Sequence, residues 1–143
     1  MKVHEDASGL LVVSLARGDD IRSSVEGLAA DRGLVGAKLS AIGAIEDPEL
    51  GYYELPKQTY LRNAFPGIWE LVSFQGNISL LDGRPFMHAH AAIGGPDGAT
   101  RGGHLFDGKV GVVMELFVEP LETPLPRIPC PAIGLPRWEP QDG

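Results

Sequence analysis

The hydrophobic pattern of this chain changes period along its length and for most of it reads as strand. Residues 9–17, GLLVVSLAR, are apolar and β-branched enough for a buried strand. The period then lengthens in DDIRSSVEGLAADRG. Ile21, Val25, Leu28 and Ala29 recur at i, i+4, i+7 and i+8, one face of a helix, with Asp19 as N-cap and Gly33 as the stop. Arg22, Glu26 and Asp31 fall on its other side and are expected in water. Residues 36–45, GAKLSAIGAI, return to strand, and their small side chains predict close approach by another backbone or subunit. Glu46-Asp47-Pro48 is expected to end that strand, with short strands following at 50–55 and 59–63.

Ile68 to Leu81 is the longest strand candidate, and its apolar residues on both faces predict a central position. An Asp82-Gly83 hairpin then sends residues 85–93 back antiparallel. There His88 and His90 share a face with Phe86 and Ala92, while Met87, Ala89, Ala91 and Ile93 form the core side. A GGPDG turn at 94–98 precedes a last strong strand at 109–118. From Glu119 on there are seven prolines in 25 residues, which excludes a long helix or a central strand. A wrap anchored by Leu121, Leu125 and Ile128, with a looser end near Trp138, is expected. The fold class is therefore α+β: a mostly antiparallel sheet with one main helix, a single domain over 1–120 and a Pro-rich extension over 121–143.

Composition narrows the function. The formal charge is −7, with 12 basic residues scattered among 19 acidic ones, so direct DNA binding by this chain alone is disfavoured. Met1-Lys2 leads into polar residues, and no apolar run approaches the roughly 18 residues of a membrane span, so a cytoplasmic protein is expected. The single cysteine, Cys130, excludes an internal disulfide and reads as incidental.

Chemistry concentrates between Gly76 and His104, which holds three of the four histidines. On a strand, His88 and His90 lie on one face about 6.6 Å apart along the chain. His104 follows Gly102-Gly103, whose backbone freedom is expected to turn it back toward the other two. Three neutral imidazoles with an open fourth position are the ligand set of a catalytic-type zinc site, and nickel, iron or cobalt suit the same nitrogens. Water on such a metal has its pKa lowered to about 7, so a general base is wanted. Glu115 is the catalytic candidate: it alternates with Val113 and Phe117 on a strand face where an unpaired carboxylate would be costly. Its plainer reading is an ion pair with Arg101 or Lys38 at a subunit interface. Asp97 and Asp107 are candidate acceptors for a histidine N–H or simply turn residues, and Asn77, Glu54 and Tyr52 are weaker candidates. No nucleophile elbow, Walker loop or dinucleotide-binding glycine motif is present.

The segments RGDDIRSSVEGLAADRG, LSAIGAIEDPELGYYEL, ELVSFQGNISLLDGRPFMHAHAAIGGPDG and GGHLFDGKVGVVMELFV, spread over residues 17–118, resemble the PPC ("plants and prokaryotes conserved") domain family, specifically its small stand-alone prokaryotic members. The resemblance implies a sheet of about seven strands, assembly as a trimer, and a metal site, zinc first, at His88, His90 and His104. Plant members carry AT-hooks that supply the DNA contact. Here Gly83-Arg84-Pro85 follows Asp82 without a second basic residue and reads as a hairpin turn. Two functional classes stay open. One is a metal-dependent enzyme acting on a small metabolite. The other is a regulatory or DNA-associated binding module with a structural metal. A closed fourth ligand would favour the second and an open position the first.

Overall fold

The computed structural model describes residues 1–139. Strict alternation in Leu11–Ala16 buries Leu11, Val13 and Leu15 and turns Val12, Ser14 and Ala16 outward. Seven strands form the main sheet: β1 (Lys2–Glu5), β2 (Leu11–Ala16), β3 (Ala37–Glu54), β4 (Thr59–Ala64), β5 (Ile68–Leu81), β6 (Arg84–Gly94) and β7 (Thr100–Pro120). They pair antiparallel in the order β1-β2-β7-β6-β5-β3-β4. A further β3–β7 pairing joins β3, β5, β6 and β7 into a closed ring around a core of Phe74, Leu39, Ile45, Ile78, Met87 and Met114. No helix among the described residues is long and apolar enough to cross a membrane.

Two expected breaks are bulges inside longer strands. At Asp47 the backbone turns left-handed, with φ at 50°, and the residue is clasped to Gly67: Asp47 N–H donates to Gly67 O (2.9 Å) and Gly67 N–H to Asp47 Oδ1 (2.7 Å). The β3–β7 register shifts there, so Pro48 sits where no ladder donor is required and β3 continues to Glu54. In the same way β7 runs unbroken from Thr100, so the GGH segment belongs to the strand instead of preceding it. A further bulge between Leu71 and Ser73 rephases β5, which is why Leu71 and Phe74 are both buried. The small residues Ala37, Ala41 and Ala44 are also buried, and a Cβ on Gly43 would collide with the Val113 carbonyl, so the close approach expected of this segment is by the backbone of β7.

Helix α1 (Ile21–Asp31) buries the expected stripe Ile21, Val25, Leu28 and Ala29. Asp20, not Asp19, caps it, accepting from Ser23 N–H at 2.8 Å. Asp19 instead accepts from Ala16 N–H (2.9 Å) and pairs with the amino terminus (3.2 Å). Arg22 and Glu26 are not left to water either. Strands β6 and β7 pair only between His90–Gly94 and Thr100–His104 and diverge beyond, which leaves backbone groups without a neighbouring strand. Arg22 donates to Met87 O (2.9 Å), Leu105 O (3.1 Å) and Phe106 O (3.3 Å), while Glu26 accepts from Met87 N–H (3.0 Å) and pairs with Arg22 (3.2 Å). The two side chains thus stand in for the missing strand.

The Pro-rich tail forms a hairpin of β8 (Arg127–Cys130) and β9 (Leu135–Trp138), in which Trp138 pairs with Arg127. Leu121 and Ile128 are exposed, and of the three expected anchors only Leu125 packs, against Gly36. The hairpin is held by polar contacts: Tyr53 Oη donates to Ile133 O (2.6 Å), Gln58 Nε2 to Pro131 O (3.1 Å), and Leu80 N–H to Leu125 O (2.8 Å). The last four residues of the extension, 140–143, lie outside the described residues.

Candidate metal centre

Strand β6 alternates, so Met87, Ala89, Ala91 and Ile93 enter the core and His88 and His90 share the other face. His104 joins them by register, not by a turn: it stands directly opposite His90 in the β6–β7 ladder. The ring centroids are 5.3 Å (His88–His90), 5.1 Å (His88–His104) and 5.6 Å (His90–His104) apart. One ring nitrogen from each lies within 4.8 Å of the others, close enough for one ion to span. No carboxylate or thiolate joins the group among the described residues. His88 and His104 are half-buried, whereas His90 is exposed and marks the open side.

Two glycines permit this approach. A Cβ on Gly103 would stand 2.5 Å from Gly51 O, and one on Gly76 would stand 2.6 Å from His88 O. Both neighbours are backbone, so neither can rotate away.

Around His104 the wall is aromatic, with Phe106 at 4.7 Å and Tyr60 at 5.1 Å between centroids. Tyr60 also packs tilted against Tyr53 and edge-on to Phe106, and burial raises its phenol pKa. Around His88 the wall is polar. Asn77 lies opposite it in β5, and Arg127 reaches over from the hairpin. Arg127 Nη2 lies 3.2 Å from both His88 Nδ1 and Asn77 Oδ1, Nε donates to the buried Ser79 Oγ at 2.7 Å, and Nη1 donates to Pro136 O at 3.1 Å. Its guanidinium sits 5.3 Å from the Phe86 ring and 5.8 Å from that of Trp138.

Burial, then the charges of Arg127, His90 and Arg22, lowers the His88 pKa to about 4. His104 is also lowered to about 4, first by burial and then by His88, His90 and the two arginines. Both rings are therefore neutral at pH 7, the form that offers a lone pair to a metal. His104 Nδ1 is buried without a hydrogen-bond partner among the described residues, a donor atom that a cation would satisfy. The donor set fits a borderline metal that prefers imidazole.

The other sequence candidates are not brought here. Glu115 is exposed on the outer face of β7, opposite Ser14 and Ile42, and stands eleven residues along the strand from His104. Within one chain it makes no ion pair with Arg101 or Lys38; Lys38 meets Glu119, at 3.6 Å between exposed side chains. Asp97 and Asp107 accept from nearby backbone at Ala99 and Gly108, as turn and bulge residues do. Glu54 pairs with Lys57, and Tyr52 is exposed. Asn77 does reach the centre, although no bulge occurs there. Sequence reasoning missed Arg127 and Tyr60, since no period relates a Pro-rich tail or β4 to the histidine strands, and it missed Phe106, two residues beyond His104, because the expected strand begins only at Lys109.

The sequence model of the Plants and Prokaryotes Conserved (PCC) domain, also abbreviated PPC, matches residues 4–122. A plant- and prokaryote-conserved (PPC) protein of Pyrococcus horikoshii is 30% identical, with a TM-score of 0.86 and coverage of 99% of this chain and 95% of its own. A metal-containing protein of Archaeoglobus fulgidus is 33% identical, with a TM-score of 0.87 and coverage of 97% and 99%. A Bacteroides thetaiotaomicron chain named as a candidate DNA-binding protein is 22% identical at a TM-score of 0.91, covers 96% of each, and supports the fold alone. No curated protein matches in sequence.

Proposed function

Because the chain belongs to the plants and prokaryotes conserved domain family, we propose that it is a metal-binding protein in which His88, His90 and His104 hold one divalent transition metal, zinc first, and leave one position to a small metabolite. The observation that carries this is the convergence of three imidazoles with no fourth histidine, cysteine or carboxylate ligand among the described residues and one exposed flank. The metal-containing Archaeoglobus relative supports it. Zinc bound there would supply Lewis acidity suited to hydrolysis or hydration. The chain's own contribution is to hold the three rings neutral and fixed, to exclude water around His104 with Tyr60 and Phe106, and to keep the His90 side open.

One observation favours a second reading, a non-enzymatic binding module: no described carboxylate joins the three histidines, and Glu115, the candidate base, lies far along β7. In both readings the chain assembles as a trimer. The exposed apolar residues of β2, β3 and β7, namely Val12, Ile42 and Phe117, border a cavity of about 610 Å³ and supply a contact surface.

Elemental analysis of protein purified without a metal-affinity tag tests the proposal. One equivalent per chain, lost in His88→Ala and His104→Ala while circular dichroism is retained, is the expected result. Wild type that takes up no zinc, nickel, cobalt or iron would overturn it. Sedimentation as a monomer at micromolar concentration would count against the trimer.

A further inference from the structure

Two arginines approach the histidines, and their charges are balanced differently. Arg22 is neutralised by Glu26 at 3.2 Å. Arg127 is half-buried, and no described carboxylate lies within ion-pair distance of it. A divalent ion on three neutral imidazoles beside Arg127 would form a cluster of positive charge with no protein countercharge, a costly arrangement in a partly desolvated site.

Hydrogen bonding leads to the same place. A guanidinium only donates, so its 3.2 Å contact to His88 requires Nδ1 to accept. Metal ligation by a neutral imidazole removes that acceptor in either geometry. If the metal takes Nδ1, the lone pair is used; if it takes Nε2, Nδ1 carries the ring proton and becomes a donor. Loading the centre therefore strips one Arg127 N–H of its partner at the edge of the metal site, while Ser79, Asn77 and Pro136 keep the guanidinium in place.

We propose that the loaded centre takes a small oxyanion, a carboxylate or a phosphate, seated between the metal and Arg127, with Asn77 and Ser79 positioning the guanidinium. This rests on the three-histidine metal reading. It gives the open coordination position a ligand class, the anion supplying the missing countercharge and the lost acceptor together.

The test uses the full chain loaded with cobalt(II), whose visible spectrum reads its ligands, titrated separately with acetate and inorganic phosphate. Wild type should give a saturable spectral change with at least one of them. Arg127→Gln should load cobalt but bind that anion about tenfold or more weakly, and Arg127→Lys should fall between. Asn77→Asp is the second variant: it keeps Arg127 but places a carboxylate 3.2 Å from Nη2, and it should suppress the anion response as strongly as Arg127→Gln. Acetate or phosphate responding alone identifies the source. Cobalt uptake with a spectrum indifferent to both anions, or an anion affinity unchanged in Arg127→Gln and Asn77→Asp, overturns this inference and leaves the metal reading standing. Wild type that binds no cobalt overturns both.

Discussion

Replacing Gly103 with alanine perturbs the centre without touching a ligand. The added Cβ would lie 2.5 Å from Gly51 O and 3.3 Å from Gly51 C, whereas real Cβ contacts essentially never fall below 3.0 Å. Relief therefore requires β3 and β7 to separate by at least about half an ångström, in a closed sheet where both strands are also paired on their other sides. Overpacking of this kind costs about 1–3 kcal/mol. For a chain of this length that lowers the melting temperature by about 3–10 °C. Because His104 is the next residue and faces His90 across the ladder, the separation also misplaces one of the three rings. Metal affinity should fall roughly tenfold, as when a residue supporting a ligand is altered. Gly102→Ala is the control: its Cβ would meet Ala91 O at 3.3 Å, tight but tolerable. Thermal unfolding and competition against a zinc indicator would measure both effects. If Gly103→Ala melts within about 1 °C of wild type and binds zinc equally well, the close-approach argument is wrong.

Three further outcomes are expected. His88 and His104 have pKa values lowered from 6.5 to about 4, so the unfolded chain takes up protons that the folded chain refuses. Stability of the metal-free protein should be whole above pH 6.5 and decline as pH falls from there toward 4. The urea midpoint should show that decline already between pH 6.5 and about 5, above the ordinary carboxylate range, and a His88→Gln, His104→Gln double variant should be flat there; a flat wild type would contradict the burial argument. Removing Arg22 strips the Met87, Leu105 and Phe106 carbonyls of a shared donor, so Arg22→Ala should cost about 2–3 kcal/mol in chemical denaturation. Glu26→Ala should speed hydrogen exchange at the Met87 amide, and unchanged exchange would mean that the helix does not replace the strand.

Some of this could be read directly because it is local. The apolar stripe of the helix and the alternation in β6 depend only on neighbours a few residues apart, so the buried faces follow from the chain itself, as does the shared face of His88 and His90. The family resemblance added the strand count, while His104 is expected from its Gly-Gly lead, but by a turn and not by strand register. Where the reading failed, long-range pairing intervened. Pro48 looks like a terminator until the β3–β7 register shift gives it a bulge to occupy. Glu115 looks confined by Val113 and Phe117, but alternation defines two faces without saying which is inside, and here the inner one belongs to Met114, Leu116 and Val118.

The residues alone determined a mostly antiparallel sheet with one helix and a pair of imidazoles on one side of a strand, since both follow from periods of two and 3.6. Only the tertiary structure decided that His104 meets His90 by cross-strand register, that a helix completes the split between β6 and β7, and that a guanidinium 39 residues beyond His88 closes the same site. Those contacts depend on which strand edges pair and where a hairpin docks, and no local pattern encodes them.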